Sequence, residues 1–258
     1  MNKVLLKKII YIILVILLFF NIILFINNFV DNDSSYIILK SDSIIKINKN
    51  NISMYRKNYK KLNYSSAKLY KNDEVIDGYI KVDDSAALGY TTVNFYKRSL
   101  ETEDTNNSII VVGDMKLKNY TDLISKSITK EDSKIISNYV KENSIGKIND
   151  LTQASVTNLN NRKIYTVRNY NFNEKDNNFS VIFLKENENY QLIYKSIGEK
   201  VLKRSSKLSK IIDLNNDNNA DLILESAPFG TDVDFCYSVY VFDKSSNKYK
   251  PVINCEEE

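Results

Sequence analysis

From Ile9 to Ile26 the chain runs IIYIILVILLFFNIILFI, an apolar stretch interrupted only by Tyr11 and Asn21. A segment of this kind cannot leave backbone polar groups unpaired in lipid, so its one stable spanning form is a helix. Eighteen residues at a helical rise reach roughly 27 Å, the depth of a bilayer core. Lys3, Lys7 and Lys8 precede the run and no basic residue follows before Lys40, an imbalance that holds the N-terminus in the cytoplasm. Residues 1–30 therefore read as a short cytoplasmic stub and a transmembrane signal-anchor, which engages the lipid bilayer through residues 9–26 and leaves the bulk of the chain extracytoplasmic. A cleaved signal peptide is the rival. It needs a shorter apolar core and small residues at the cut, for which only Ser34 and Ser35 are available.

Charge and composition follow from that division. The formal net charge is +4, and the three anchor lysines leave +1 outside the membrane. An exported chain so close to neutral gives no reason to expect nucleic-acid binding. There is no histidine, which excludes Ser/His/Asp and Cys/His catalysis, His-ligated zinc and an imidazole base. The six glycines lie far apart, so no phosphate-cradling loop is present. An enzyme would have to rely on carboxylates, and Asp83/Asp84 with Glu101, Glu103 and Asp104 are clustered without being marked as a pair.

Beyond the anchor, residues 31–66 carry seven basic side chains against Asp31, Asp33 and Asp42 and read as a basic stalk. Residues 67–258 form the exported domain, as one body or as subdomains 67–150 and 151–258. Strand composition marks Lys68–Val82 and Tyr90–Tyr96, with Gly78 and Gly89 as breaks, and Ser108–Val112 as a buried strand. Thr129 caps a helix carrying Ile135, Ile136, Tyr139 and Val140 on one face, with Gly146 as its C-cap glycine; Asn119–Ser127 also reads as helical. From Lys163 onward the period is two: Lys163–Asn169, Phe179–Leu184, Tyr190–Ser196, Leu208–Ile212, Leu222–Glu225, Tyr237–Phe242 and Tyr249–Ile253 are strands joined by short polar turns. The fold class is α+β: the transmembrane helix, then a mixed domain with a β-rich antiparallel meander at the C-terminus.

Between two of those strands lies the one motif with metal-ligand spacing. Asp213, Asn215, Asp217 and Asp221 fall at positions 1, 3, 5 and 9 of a cation loop, and Asn219 stands at position 7, where a backbone carbonyl ligates. Position 6, which needs a positive φ, is Asn218. D-x-N-x-D-x-N-x-D-L entering a strand, followed by the aromatic-rich Tyr237–Phe242, resembles a single calcium-loop unit of the FG-GAP/VCBS type found in bacterial surface proteins. The resemblance covers about residues 209–253 and implies Ca2+ as a structural ion. An Asn/Asp turn without metal is the alternative.

Cys236 and Cys255 are centred on the same point as the turn Lys244–Asn247. A regular hairpin would place them opposite each other, with Asp243 facing Lys248, Phe242 facing Tyr249 and Val239 facing Val252, so a disulfide is expected. Together these features describe an anchored binding or structural module without catalysis, whose partner is an envelope protein or wall polymer. A carboxylate-dependent hydrolase of envelope polymers and a bitopic subunit of an envelope complex are the alternatives. A flat tyrosine-rich sheet would favour binding, and a concave pocket with converging carboxylates would favour the hydrolase.

Overall fold

A computed structural model describes residues 34–255, apart from 41–42, 49–50, 56–58, 72–73, 86–89, 98–107, 122–127, 149–150, 152, 171–176, 199–203 and 230–234. The apolar run Ile9–Ile26 lies outside the described residues; among those described, no helix is long and apolar enough to cross a membrane. The chain divides into two compact units between Met115 and Lys116.

The first unit is a seven-stranded antiparallel sheet. Its strands are β1 (Ser34–Lys40), β2 (Ser43–Asn48), β3 (Asn51–Met54), β4 (Ser66–Lys71), β5 (Glu74–Ser85), β6 (Tyr90–Lys97) and β7 (Ile109–Val112), in the spatial order β3-β2-β1-β7-β4-β5-β6. The segment expected to be a stalk is thus corrected: residues 34–54 supply three strands. Ile37 and Ile45 on one face, and Tyr36, Ile38 and Ile44 on the other, are all buried. Two-sided burial replaces alternation with adjacent isoleucines, which a search for period two passes over. The core face gathers Tyr36, Ile38, Ile44, Leu69, Ile80, Phe95 and Ile110. Gly78 does not break a strand. It sits within β5 opposite Lys97, where a Cβ would collide with the Tyr96 carbonyl and the Phe95 ring.

The second unit comprises β8 (Lys118–Thr121), helix α1 (Lys130–Glu142), β9 (Ala154–Leu159), β10 (Arg162–Asn169), β11 (Phe179–Glu186), β12 (Asn189–Ile197), β13 (Arg204–Asp213), β14 (Asp221–Pro228), β15 (Cys236–Asp243) and β16 (Lys248–Ile253). They form a four-stranded sheet, β12-β11-β10-β9, and a five-stranded sheet, β16-β15-β14-β13-β8. Ile164, Ile182 and Leu184 of the first pack with Leu208, Ile211, Leu222 and Phe242 of the second. On the other face of the four-stranded sheet, Tyr165, Val167, Val181 and Phe183 pack with Ile136, Tyr139 and Val140 of α1. Alternate residues of β10 and β11 thus serve two cores. Residues 119–121, the described start of the segment expected to be helical, lie in β8, which pairs as a strand with β13. The helix ends at Asn143 and Ser144 (φ 50°), ahead of Gly146, which is small because the Phe179 ring stands where its Cβ would be.

Cys236 and Cys255 are disulfide-bonded, with Cα atoms 5.7 Å apart. Asp243 faces Lys248 and Phe242 faces Tyr249 as expected, but Val239 pairs with Ile253 rather than Val252. Pro251 has no N–H for the ladder, and the register slips by one residue just beyond it; Val252 is left exposed while Ile253 is buried.

Asp132 ties α1 to its sheet. Its Oδ2 accepts from the Thr129 hydroxyl at 2.7 Å and the Thr129 N–H at 3.3 Å; its Oδ1 accepts from Lys163 Nζ at 2.9 Å and the Tyr165 hydroxyl at 3.0 Å. Burial alone would raise this carboxyl, but hydrogen bonds from Lys163, Thr129 and Tyr165 hold it at about 2. A depressed carboxylate stabilises the fold above its unfolded pKa and loses that contribution as the folded group protonates. Asp132→Ala is expected to cost about 2–3 kcal/mol in denaturant unfolding at pH 7. The gap between wild type and variant should shrink as pH falls from about 4 toward 2.

Candidate functional site

The Asp213–Asp221 loop joins the ends of β13 and β14, and the backbone N–H groups of Leu214, Asp217, Asn218 and Asn219 donate to side chains of the loop itself. Asp213 Oδ1 and Oδ2 accept from the N–H groups of Asp217 at 3.1 Å and Asn218 at 2.9 Å. Asn215 Oδ1 also accepts from Asp217 N–H, and Asp217 Oδ1 accepts from the N–H and side-chain amide of Asn219. Asn216 and Asn218 take φ of 57° and 66°, the left-handed turns that asparagine tolerates better than most residues. Of the sequence-selected residues, Asp213, Asn215, Asp217 and Asn219 therefore form one hydrogen-bonded loop.

Asp221 is turned into the protein. Fully buried, it accepts from Leu214 N–H and Phe242 N–H, both at 2.9 Å. Burial pushes its carboxyl up to about 6 against those two N–H groups, and the charges of Asp217 and Asp213 add to the rise. The oxygen donors suit calcium in kind. Among the described residues, however, no three His, Cys, Asp or Glu side chains gather closely enough to hold a metal. The loop as folded holds its backbone: the oxygens of Asp213 and Asp221 each accept one loop or strand N–H, and Asp217 Oδ1 accepts two donors from Asn219.

Beside the loop lies a cavity of about 480 Å³. Its key side chain is Arg162 at the start of β10. The guanidinium stacks over the Phe242 ring at 4.4 Å, donates from Nε to Glu186 at 2.9 Å and from Nη2 to Asn247 at 2.9 Å. The Tyr249 hydroxyl donates to the Ala220 carbonyl at 2.9 Å, which joins β16 to the loop. Asn160, Asn161, Asn218 and Asn219 complete the polar wall. Of this group the sequence marks Asn219 as a ligand position and Asn218 as the positive-φ position of the loop. Arg162 and Glu186 are 24 residues apart and met only through the β10–β11 ladder, so no local spacing signals them.

On the first unit, Tyr79 of β5 faces Tyr96 of the edge strand β6, their rings stacked at 5.5 Å and 13°. Tyr64, 66% exposed, lies 6.2 Å from Tyr79 and is held there by its own N–H, which donates to the Ile80 carbonyl at 2.8 Å. Along the same face Asp83 pairs with Lys81 at 3.1 Å and accepts from Asn94 at 3.2 Å. Asp83 is thus engaged by neighbours on its own sheet. Glu101, Glu103 and Asp104 lie outside the described residues.

Compared with family models, curated proteins and solved structures, the chain has no match.

The raised Asp221 carboxyl has a defined sign in stability. Protonation favours the folded form, so its contribution is complete below about pH 4 and lost as pH rises through about 6. In metal-free buffer, Asp221→Asn should remove roughly 2–3 kcal/mol of that pH-dependent change, read from unfolding curves between pH 4 and 7.

Proposed function

We propose that the chain is a single-pass membrane-anchored protein whose extracytoplasmic part is a binding module without catalytic activity. The observation that carries this reading is the row Tyr64, Tyr79 and Tyr96 on the face of the first unit's sheet. Tyrosine offers flat apolar area with a polar tip, the composition that contact surfaces favour. Lys81, Asp83 and Asn94 beside the row supply both charge signs and an amide for orienting a partner. The disulfide supports the location, because such bonds persist in oxidising compartments. The partner class is a wall polymer or an envelope protein.

The hydrolase alternative draws less support. Among the described residues, the cavity beside the loop is lined by a single carboxylate, Glu186, and another cavity of about 450 Å³ by Glu225 alone. Glycoside hydrolysis uses two carboxylates about 5–10 Å apart.

The test is retention of the full chain, in lipid nanodiscs, on isolated cell-envelope material. The wild type should co-sediment, and the double variant Tyr79→Ser, Tyr96→Ser should bind about tenfold more weakly with an unchanged circular dichroism spectrum. Retention unaffected by the double variant would sink the tyrosine row; release of soluble fragments from the envelope would sink the non-enzymatic reading.

Calcium enters this proposal as a structural ion of the Asp213–Asp221 loop. What supports it is the three carboxylates Asp213, Asp217 and Asp221 on one loop, the first two adding to the rise of the third, and Asn218 at positive φ in position 6. With three carboxylates the affinity should fall near 10⁻⁴–10⁻³ M, on the order of extracellular modules. Millimolar calcium is expected to raise the melting temperature of the wild type and to leave that of Asp217→Ala unchanged; an unshifted wild type removes the ion.

A further inference from the structure

The cavity between the β9–β10 turn, the end of β11 and the β13–β14 loop has the chemistry of a ligand site. Its volume of about 480 Å³ lies within the usual range of small-molecule pockets. Two features define what would fit. The first is charge: Arg162 and Glu186 neutralise each other at 2.9 Å, so an ionic ligand would have to break that pair. The second is the wall of four asparagines, 160, 161, 218 and 219, each carrying an amide that can both donate and accept. Asn219 already gives one N–H to Asp217, which fixes the orientation of its amide. Phe242 and Tyr249 add aromatic carbon to the same wall.

A ligand matching this wall is uncharged, bears groups that donate and accept at once, and presents an apolar face to the aromatic carbons. Hydroxyl groups on a saturated ring meet all three conditions. The geometry points to a binding site for a neutral sugar in the second unit, separate from the tyrosine row and independent of it. Arg162 is the organiser: it lines the cavity, and stacking on Phe242 with bonds to Glu186 and Asn247 fixes its guanidinium in place. No bond is made or broken in this role.

The test uses the full chain in lipid nanodiscs, free of sugar-based detergent, titrated calorimetrically with cellotetraose, maltotetraose and N-acetylglucosamine tetrasaccharide. At least one is expected to bind with a millimolar or tighter dissociation constant. Asn160→Gly with Asn218→Gly removes two wall amides at positions of φ 52° and 66°, where glycine is at ease, so the fold should survive. The double variant should bind at least about tenfold more weakly at an unchanged melting temperature. Three results overturn the proposal: no saccharide bound at millimolar concentration, affinity unchanged in the double variant, or a neutral blocked tetrapeptide bound in preference to every sugar. Because the readout is free sugar in the second unit, its failure leaves the envelope-retention assay of the tyrosine row untouched.

Discussion

A fully buried carboxylate, Asp221, holds the loop end of the second unit together. Its two oxygens take the N–H of Leu214 on one side and of Phe242 on the other, so a single side chain fixes where the β13–β14 loop begins and where β15 finishes. Phe242, so placed, underlies the Arg162 guanidinium, and Arg162 in turn holds Glu186 and Asn247. Buried charge is costly in isolation, and two backbone donors reduce that cost without cancelling it, which is why the carboxyl is raised to about 6. The cavity wall therefore rests on an interaction made behind it.

The rest of that unit rests on sheets buried twice over. Tyr165 and Phe183 stack at 4.9 Å and Phe183 stacks on Tyr139 of the helix at 3.8 Å, while Ile164, Ile182 and Leu184 face the five-stranded sheet. One strand thus belongs to two cores, and α1 is held both by aromatic stacking and by the Asp132 carboxylate at its N-terminus. A layered arrangement of this kind stiffens the central sheet, and the turns that frame the cavity hang from it.

The sequence made legible what has a local signature. The seven strand segments from Lys163 onward, the Thr129 cap and the Cys236–Cys255 pairing all follow from period, capping chemistry or symmetric spacing, and each is present. What stayed hidden depends on distant partners. Residues 34–54 look like a polar linker until β7 and β2 cover both sides of β1. Gly78 looks like a break until the Phe95 ring is seen occupying its Cβ position. The loop residues were found by spacing, but the same spacing gave no hint that Asp221 faces inward, nor that Arg162 and Glu186 meet beside it. Side-chain function here is decided by sheet register, which a one-dimensional pattern does not contain.

The sulfur bridge between Cys236 and Cys255 encloses the whole β15–β16 hairpin, and β16 is the outermost strand of its sheet. Tension applied beyond Cys255 would pass through the covalent link directly to the start of β15, bypassing the ladder between the two strands. The edge strand cannot then be peeled away one hydrogen bond at a time. Mechanical load is delivered instead to β15 along its pairing with β14, the strand that carries Asp221.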